Sequence, residues 1–243
     1  MIIQQDMSMA RAILENNRLI SLLPRFKIEL GFGEKTVGEV CRMYDVNVDF
    51  FLEIVNSYVN EEYTPQNDLT LFSLSSIVEY LKNTHAIYLE EELPHVEAEI
   101  RELICKSELS QDKKDLVVTF FNDYKQEFIE HIMKEEDEVL PYILEVEKQY
   151  EARHPDPEFL EKLKHYSIHE FAREHDRLED SLSNLAKLII KYLPPLRNRQ
   201  LCNQILSDLF ALVNDLIDHA AMEDKILVPK VAEIEQYIKQ QSS

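Results

Sequence analysis

Four histidines stand at near-constant intervals: His85, His131, His175 and His219 are separated by 46, 44 and 44 positions. Two of them are followed four residues later by a glutamate, in His131-Ile-Met-Lys-Glu135 and His219-Ala-Ala-Met-Glu223. On a helix, a separation of four puts imidazole and carboxylate one turn apart on one face. Both segments then reach an apolar residue and a proline at the same offset, Leu140-Pro141 and Val228-Pro229. The chain thus carries two copies of one pattern, a lone histidine and then H-x-x-x-E. Four imidazoles and two carboxylates suit iron, manganese or zinc. Two glutamates can each bridge two metal ions, giving each ion two histidine nitrogens and two glutamate oxygens. An oxo or hydroxo bridge would add a fifth ligand and leave a position open for a small molecule. Without a metal or a partner, carboxylates on a buried face would be costly.

The elements that must position these groups are helices. Leu74, Val78 and Leu81 lead to His85, with Tyr88 and Leu89 beyond it. Phe128 lies on the face of His131; Phe171, Leu178, Leu182 and Leu185 flank His175; Leu209, Leu212, Leu216 and Leu227 flank His219. Each stripe has helical spacing. The pattern predicts long helices from about 73 to 105, from about 114 past 138 with Pro141 bending or ending it, from Ser167 to Tyr192, and from about 198 to Val228 with Pro229 closing it. Ser167-Ile168-His169-Glu170 has capping-box form. A shorter helix is expected around Pro157 to His165. Four amphipathic helices with moderate connections predict an antiparallel up-down four-helix bundle over residues 67–243. There the regular period would bring the histidines of parallel helices to one level.

A small helical module is expected before it, over residues 1–66. Ser8 can cap a helix from Met9 to about Leu23, Thr36 a short one through Met43, and Asn47 another from Val48 to about Asn60. Gly31-Phe32-Gly33 reads as a loop and Thr64-Pro65-Gln66-Asn67-Asp68 as a linker.

Composition agrees with an all-α protein: 243 residues contain only 3 glycines, and helix formers dominate. The formal net charge of −20 repels phosphate backbones and anionic lipid, so no nucleic acid and no membrane partner is expected. The cysteines, Cys41, Cys105 and Cys202, are scattered and odd in number, which argues against a disulfide framework or a thiolate site. No basic leader and no long apolar run is present, so the expected location is cytoplasmic. A ferritin-like site would need E-x-x-H helices; the best match, Glu92-Leu-Pro-His95, contains a proline and has no twin. His95, His154, His165 and His169 read as surface or cap residues.

Taken together, the segments His85-Ala-Ile-Tyr-Leu-Glu-Glu-Glu-Leu-Pro94, His131 to Pro141, Glu174-His175-Asp176 and His219 to Pro229 resemble the hemerythrin-like (HHE) cation-binding family. The nearest group within it is the bacterial iron–sulfur cluster repair proteins, with the likeness running over about residues 70–240. The resemblance implies two non-haem iron ions, oxo- or hydroxo-bridged, with His85, His131, His175 and His219 as terminal ligands and Glu135 and Glu223 as bridges; manganese or zinc are the other candidates. It further implies a role in nitrosative or oxidative stress, through reaction with nitric oxide or oxygen, repair of iron–sulfur proteins, or both. Hemerythrin-like binding or sensing of oxygen or nitric oxide without repair is the alternative. Whether the protein is an enzyme is left open, as is a homodimer.

The chain departs from the repair group in two places. Gly31 and Phe32 stand where that group carries paired cysteines, and Glu179 stands where it tends to have glycine. Glu179 is therefore a candidate third carboxylate or a solvated residue. Tyr88, one turn after His85, is a candidate hydrogen-bond donor to a bound ligand or a packed core residue.

Overall fold

The computed structural model describes residues 2–60, 63–64, 72–152, 155–174, 178–192 and 199–241, with side chains throughout except at 172–174, 178–181, 192 and 199. Among the described residues the regular structure is helical, apart from one antiparallel bridge between Ser8 and Thr36. The proposed linker lies outside this description beyond Thr64.

In chain order, α1 spans Met9–Glu15 and α2 Leu19–Leu22, followed by a 3-10 turn over Leu23–Phe26. The single helix expected from Met9 to Leu23 is thus interrupted. Ser8 makes no side-chain cap bond, and Asn16 accepts from the Arg18 amide at 3.1 Å, a local bond that competes with helix continuation. The next two helices follow their caps. Thr36 and Glu39 form a reciprocal capping box at α3, Val37–Met43. Asn47 accepts from the Phe50 amide at 2.9 Å at the start of α4, Val48–Val59.

Beyond these come α5 (Leu74–Ile87), α6 (Leu93–Lys106), α7 (Gln111–Lys134), α8 (Leu140–Glu151), α9 (Pro157–His165), α10 (Ile168–Glu174), α11 (Leu178–Tyr192), α12 (Arg199–Met222) and α13 (Val228–Gln241). Pro229 does not close a helix, and Pro141 does not end one. The chain instead passes through a widened π-type turn at Tyr88–Glu92, at Glu135–Val139 and at Glu223–Leu227. Each turn runs directly into a helix whose second residue is a proline, Pro94, Pro141 or Pro229. A proline inside an α-helix lacks the N–H for the carbonyl four residues back, and its ring collides with that carbonyl. Widening the preceding turn by one residue moves the carbonyl aside, so helix can resume.

The chain divides into two compact units: Met1–Thr84 with Glu138–Glu174 and Ala221–Ser243, and His85–Asp137 with His175–Ala220. In the first unit, Ile3 and Asn56 exchange hydrogen bonds of 2.7 and 3.0 Å, which ties the N-terminal segment to α4. Two carboxylates cap helix N-termini from neighbouring helices. Glu147 accepts from the Leu74 and Ser75 amides at 2.6 and 3.0 Å. The buried Glu235 accepts from the Ile168 amide at 2.8 Å and from the Tyr142 hydroxyl at 2.7 Å. In the second unit one core joins side chains of α6, α7, α11 and α12, including Ile100, Phe121, Tyr124, Phe128, Leu185 and Leu209.

Candidate metal centre

The second unit places His85 near the end of α5, His131 in the last turn of α7, and Glu135 as the first residue of the widened turn that follows. His219 lies in the last turn of α12. His85, Glu135 and His219 are buried, and each offers a ligand atom within 4.8 Å of the other two. The His85 Nε2 lies 3.1 Å from Glu135 Oε2, and the His131 Nε2 lies 3.0 Å from Glu135 Oε1. The H-x-x-x-E spacing of α7 therefore does what helical geometry requires, and the lone histidine of α5 meets the same carboxylate from the other side.

Electrostatics favour an ionised Glu135. Burial alone would raise its carboxyl, but the facing His131 and His85 rings reverse this and hold it well below the usual carboxylate range. The other nitrogen of His85, Nδ1, is 2.9 Å from Glu136 Oε1. A carboxylate on the far nitrogen fixes the orientation of a ligating imidazole and increases its basicity. Glu136 was not singled out from the sequence, although the doubled glutamate of Lys134-Glu135-Glu136 carried the signal.

Tyr88 is packed beside the centre. It is buried, its hydroxyl donates to Asp215 Oδ2 at 2.5 Å, and its ring meets those of His219 and Phe128 edge-on at 5.6 and 5.7 Å. The His85 and His219 rings stand edge to face at 5.5 Å. Asp215, which positions this tyrosine, also escaped the sequence reading; it lies four residues before His219, one turn earlier on the same helix.

The other predicted ligands are placed differently. Glu223 is buried and opens the widened turn after α12, in the first unit. His175 lies outside the described residues, as do His154, Asp176 and the side chain of Glu179. His165 and His169 are exposed, as expected. His95 is also largely exposed, but it belongs to a second group with Glu99 and Asp208. The three cysteines are free thiols; burial pushes Cys41 up to about 12, with Arg42 opposing, which leaves it unreactive at neutral pH.

The donor set fits a metal ion. Ligands at right angles around an ion about 2.1 Å away are themselves about 3.0 Å apart, close to the separations at Glu135. Imidazole and carboxylate together suit first-row transition metals. No helix among the described residues is long and apolar enough to cross a membrane. No protein-family model matches the chain, and no curated protein matches its sequence.

Proposed function

We propose that this is a hemerythrin-like non-haem di-iron protein of the nitrosative and oxidative stress response, reacting with nitric oxide or oxygen, supporting repair of iron–sulfur clusters, or both. The observation that carries the reading is the position of Glu135, one oxygen toward His85 and the other toward His131. That is the disposition of a carboxylate serving two ions. In this reading α6, α7, α11 and α12, with the end of α5, belong to an antiparallel four-helix bundle, and residues 1–66 form an accessory module. His219 and His175 would supply further nitrogens.

Two iron ions bound there would supply electrons and an open coordination position for a diatomic molecule. The chain's own contribution is to hold the imidazoles. Glu136 orients His85 through Nδ1, and the Tyr88 ring backs that of His219. The buried aromatic and aliphatic side chains of the second unit exclude bulk water, which strengthens the electrostatics of the site. Binding or sensing of oxygen or nitric oxide without repair is the second reading. It is favoured by Gly31 and Phe32 where a thiol pair would serve iron handling.

The deciding experiment is metal analysis with an optical spectrum on protein from iron-supplemented cells, beside His131→Ala. The proposal expects about two irons per chain, with near-ultraviolet bands lost in the variant. It further expects the iron-loaded protein to react with nitric oxide or to restore a damaged cluster enzyme. Iron unaffected by the substitution, or iron-loaded protein inert in both assays, would overturn it.

A further inference from the structure

A second group of ligand-type side chains lies in the same unit, on α6 and α12. His95 and Glu99 are one turn apart on α6, and Asp208 faces them from α12. The His95 Nε2 is 3.6 Å from Glu99 Oε1 and 3.5 Å from Asp208 Oδ2. These separations are long for hydrogen bonds. They match the edge of a tetrahedron, about 3.4 Å for ligands about 2.1 Å from a central ion. All three ligand atoms lie within 4.8 Å of one another.

Glu99 supplies the independent observation. It is 8% exposed, and its Oε2 is buried without a hydrogen-bond donor. Its polar neighbours are the Asp208 carboxylate, another acceptor, and the His95 ring. Burial, reinforced by Asp208, pushes Glu99 up to about 7. Two carboxyl groups in a partly desolvated niche need a positive charge between them, which a shared proton, a protonated His95 or a bound cation would supply. The niche is also braced from outside: Gln204 Nε2 donates to Asp208 Oδ2 at 2.7 Å, which fixes the oxygen that faces His95. Outer-shell bonds of this kind orient metal ligands.

We propose that His95, Glu99 and Asp208 form a second metal site, for a single divalent first-row transition cation such as zinc or manganese, distinct from the Glu135 centre. One nitrogen and two carboxylate oxygens are the donor set such ions favour over calcium or magnesium. The His95 side chain is 58% exposed, so a remaining coordination position faces solvent, and the ion can load and exchange without opening the core. This site does not depend on the iron reading.

The test is calorimetric zinc titration of the metal-free full-length chain beside Asp208→Asn and His95→Gln, with circular dichroism on each. The wild-type chain is expected to bind one more equivalent than either variant, or to hold that equivalent about tenfold more tightly. His95 is exposed enough that His95→Gln decides the matter even if Asp208→Asn misfolds. Identical stoichiometry and affinity in wild type and His95→Gln would overturn the proposal and leave Glu99 and Asp208 as a pair sharing a proton. Absence of zinc from the Glu135 centre would not alter the comparison, because neither substitution touches that centre.

Discussion

Glu135 divides its carboxylate between two histidines, with Oε2 3.1 Å from His85 and Oε1 3.0 Å from His131. One residue thereby joins the ends of α5 and α7 at a buried point. The substitution Glu135→Gln keeps the shape and removes the anion. Metal affinity is expected to fall by about 100-fold or more, beyond the loss typical of an outer-shell change. Competition with a chelator of known affinity measures it.

Glu136 acts one step further out, through His85 Nδ1 at 2.9 Å. Glu136→Gln is expected to lower metal affinity by about 10- to 100-fold while leaving the stoichiometry at saturation unchanged. Loss of stoichiometry instead would make Glu136 a ligand.

The pH dependence of the metal-free fold follows from the depressed Glu135 carboxyl. A carboxyl held lower in the folded state than in the unfolded chain contributes stability that is complete above the ordinary glutamate range, about 4.3. That contribution is lost as pH falls from there through the folded value. Metal-free wild type should therefore keep it from pH 7 to about 5 and lose it below. The gap in Tm between wild type and Glu135→Gln should not narrow across the upper interval and should narrow in the lower one. A gap that narrows between pH 7 and 5 would contradict the assignment.

Tyr88 separates packing from ligation. Tyr88→Phe keeps the ring against His219 and Phe128 but removes the donor to Asp215. A hydrogen bond to a charged group is worth about 1.5–3 kcal/mol, so a lower Tm with unchanged metal content is expected. Metal loss in this variant would mean that the hydroxyl positions the centre through Asp215.

In the first unit, Glu235→Ala removes the acceptor shared by the Ile168 amide and the Tyr142 hydroxyl. Leaving two buried donors without it is expected to cost about 2–4 kcal/mol, read as a lower midpoint in urea. An unchanged midpoint would show that water replaces the carboxylate.

Much of the helical layout was legible locally. Thr36 with Glu39, Asn47, and Asp156 before Pro157 satisfy orphan amides within three residues of themselves, so nearby residue identities suffice. Ser8 shows the limit: the same residue type makes no cap bond, and the two asparagines after Glu15 interrupt a run whose apolar spacing alone would continue it. The prolines misled for a related reason. A proline argues against the regular α-turn, but whether the chain stops or widens depends on the packing beyond it, and α6, α8 and α13 bury Ile100, Ile143 and Val231 on the far side.

At the centre, the spacing of His131 and Glu135 was decided by the sequence, because a helix places residues four apart on one face whatever surrounds it. The regular interval of the histidines pairs those of parallel helices, His85 with His175 and His131 with His219. That His85 reaches the same carboxylate as His131, that Glu136 takes its other nitrogen, and that Asp208 approaches His95 and Glu99 were decided by tertiary structure alone. Those pairings cross between helices as much as 113 residues apart. Their register depends on how side chains such as Phe121, Phe128 and Leu209 interlock, and helix periodicity says which face of a helix is buried, not what it meets.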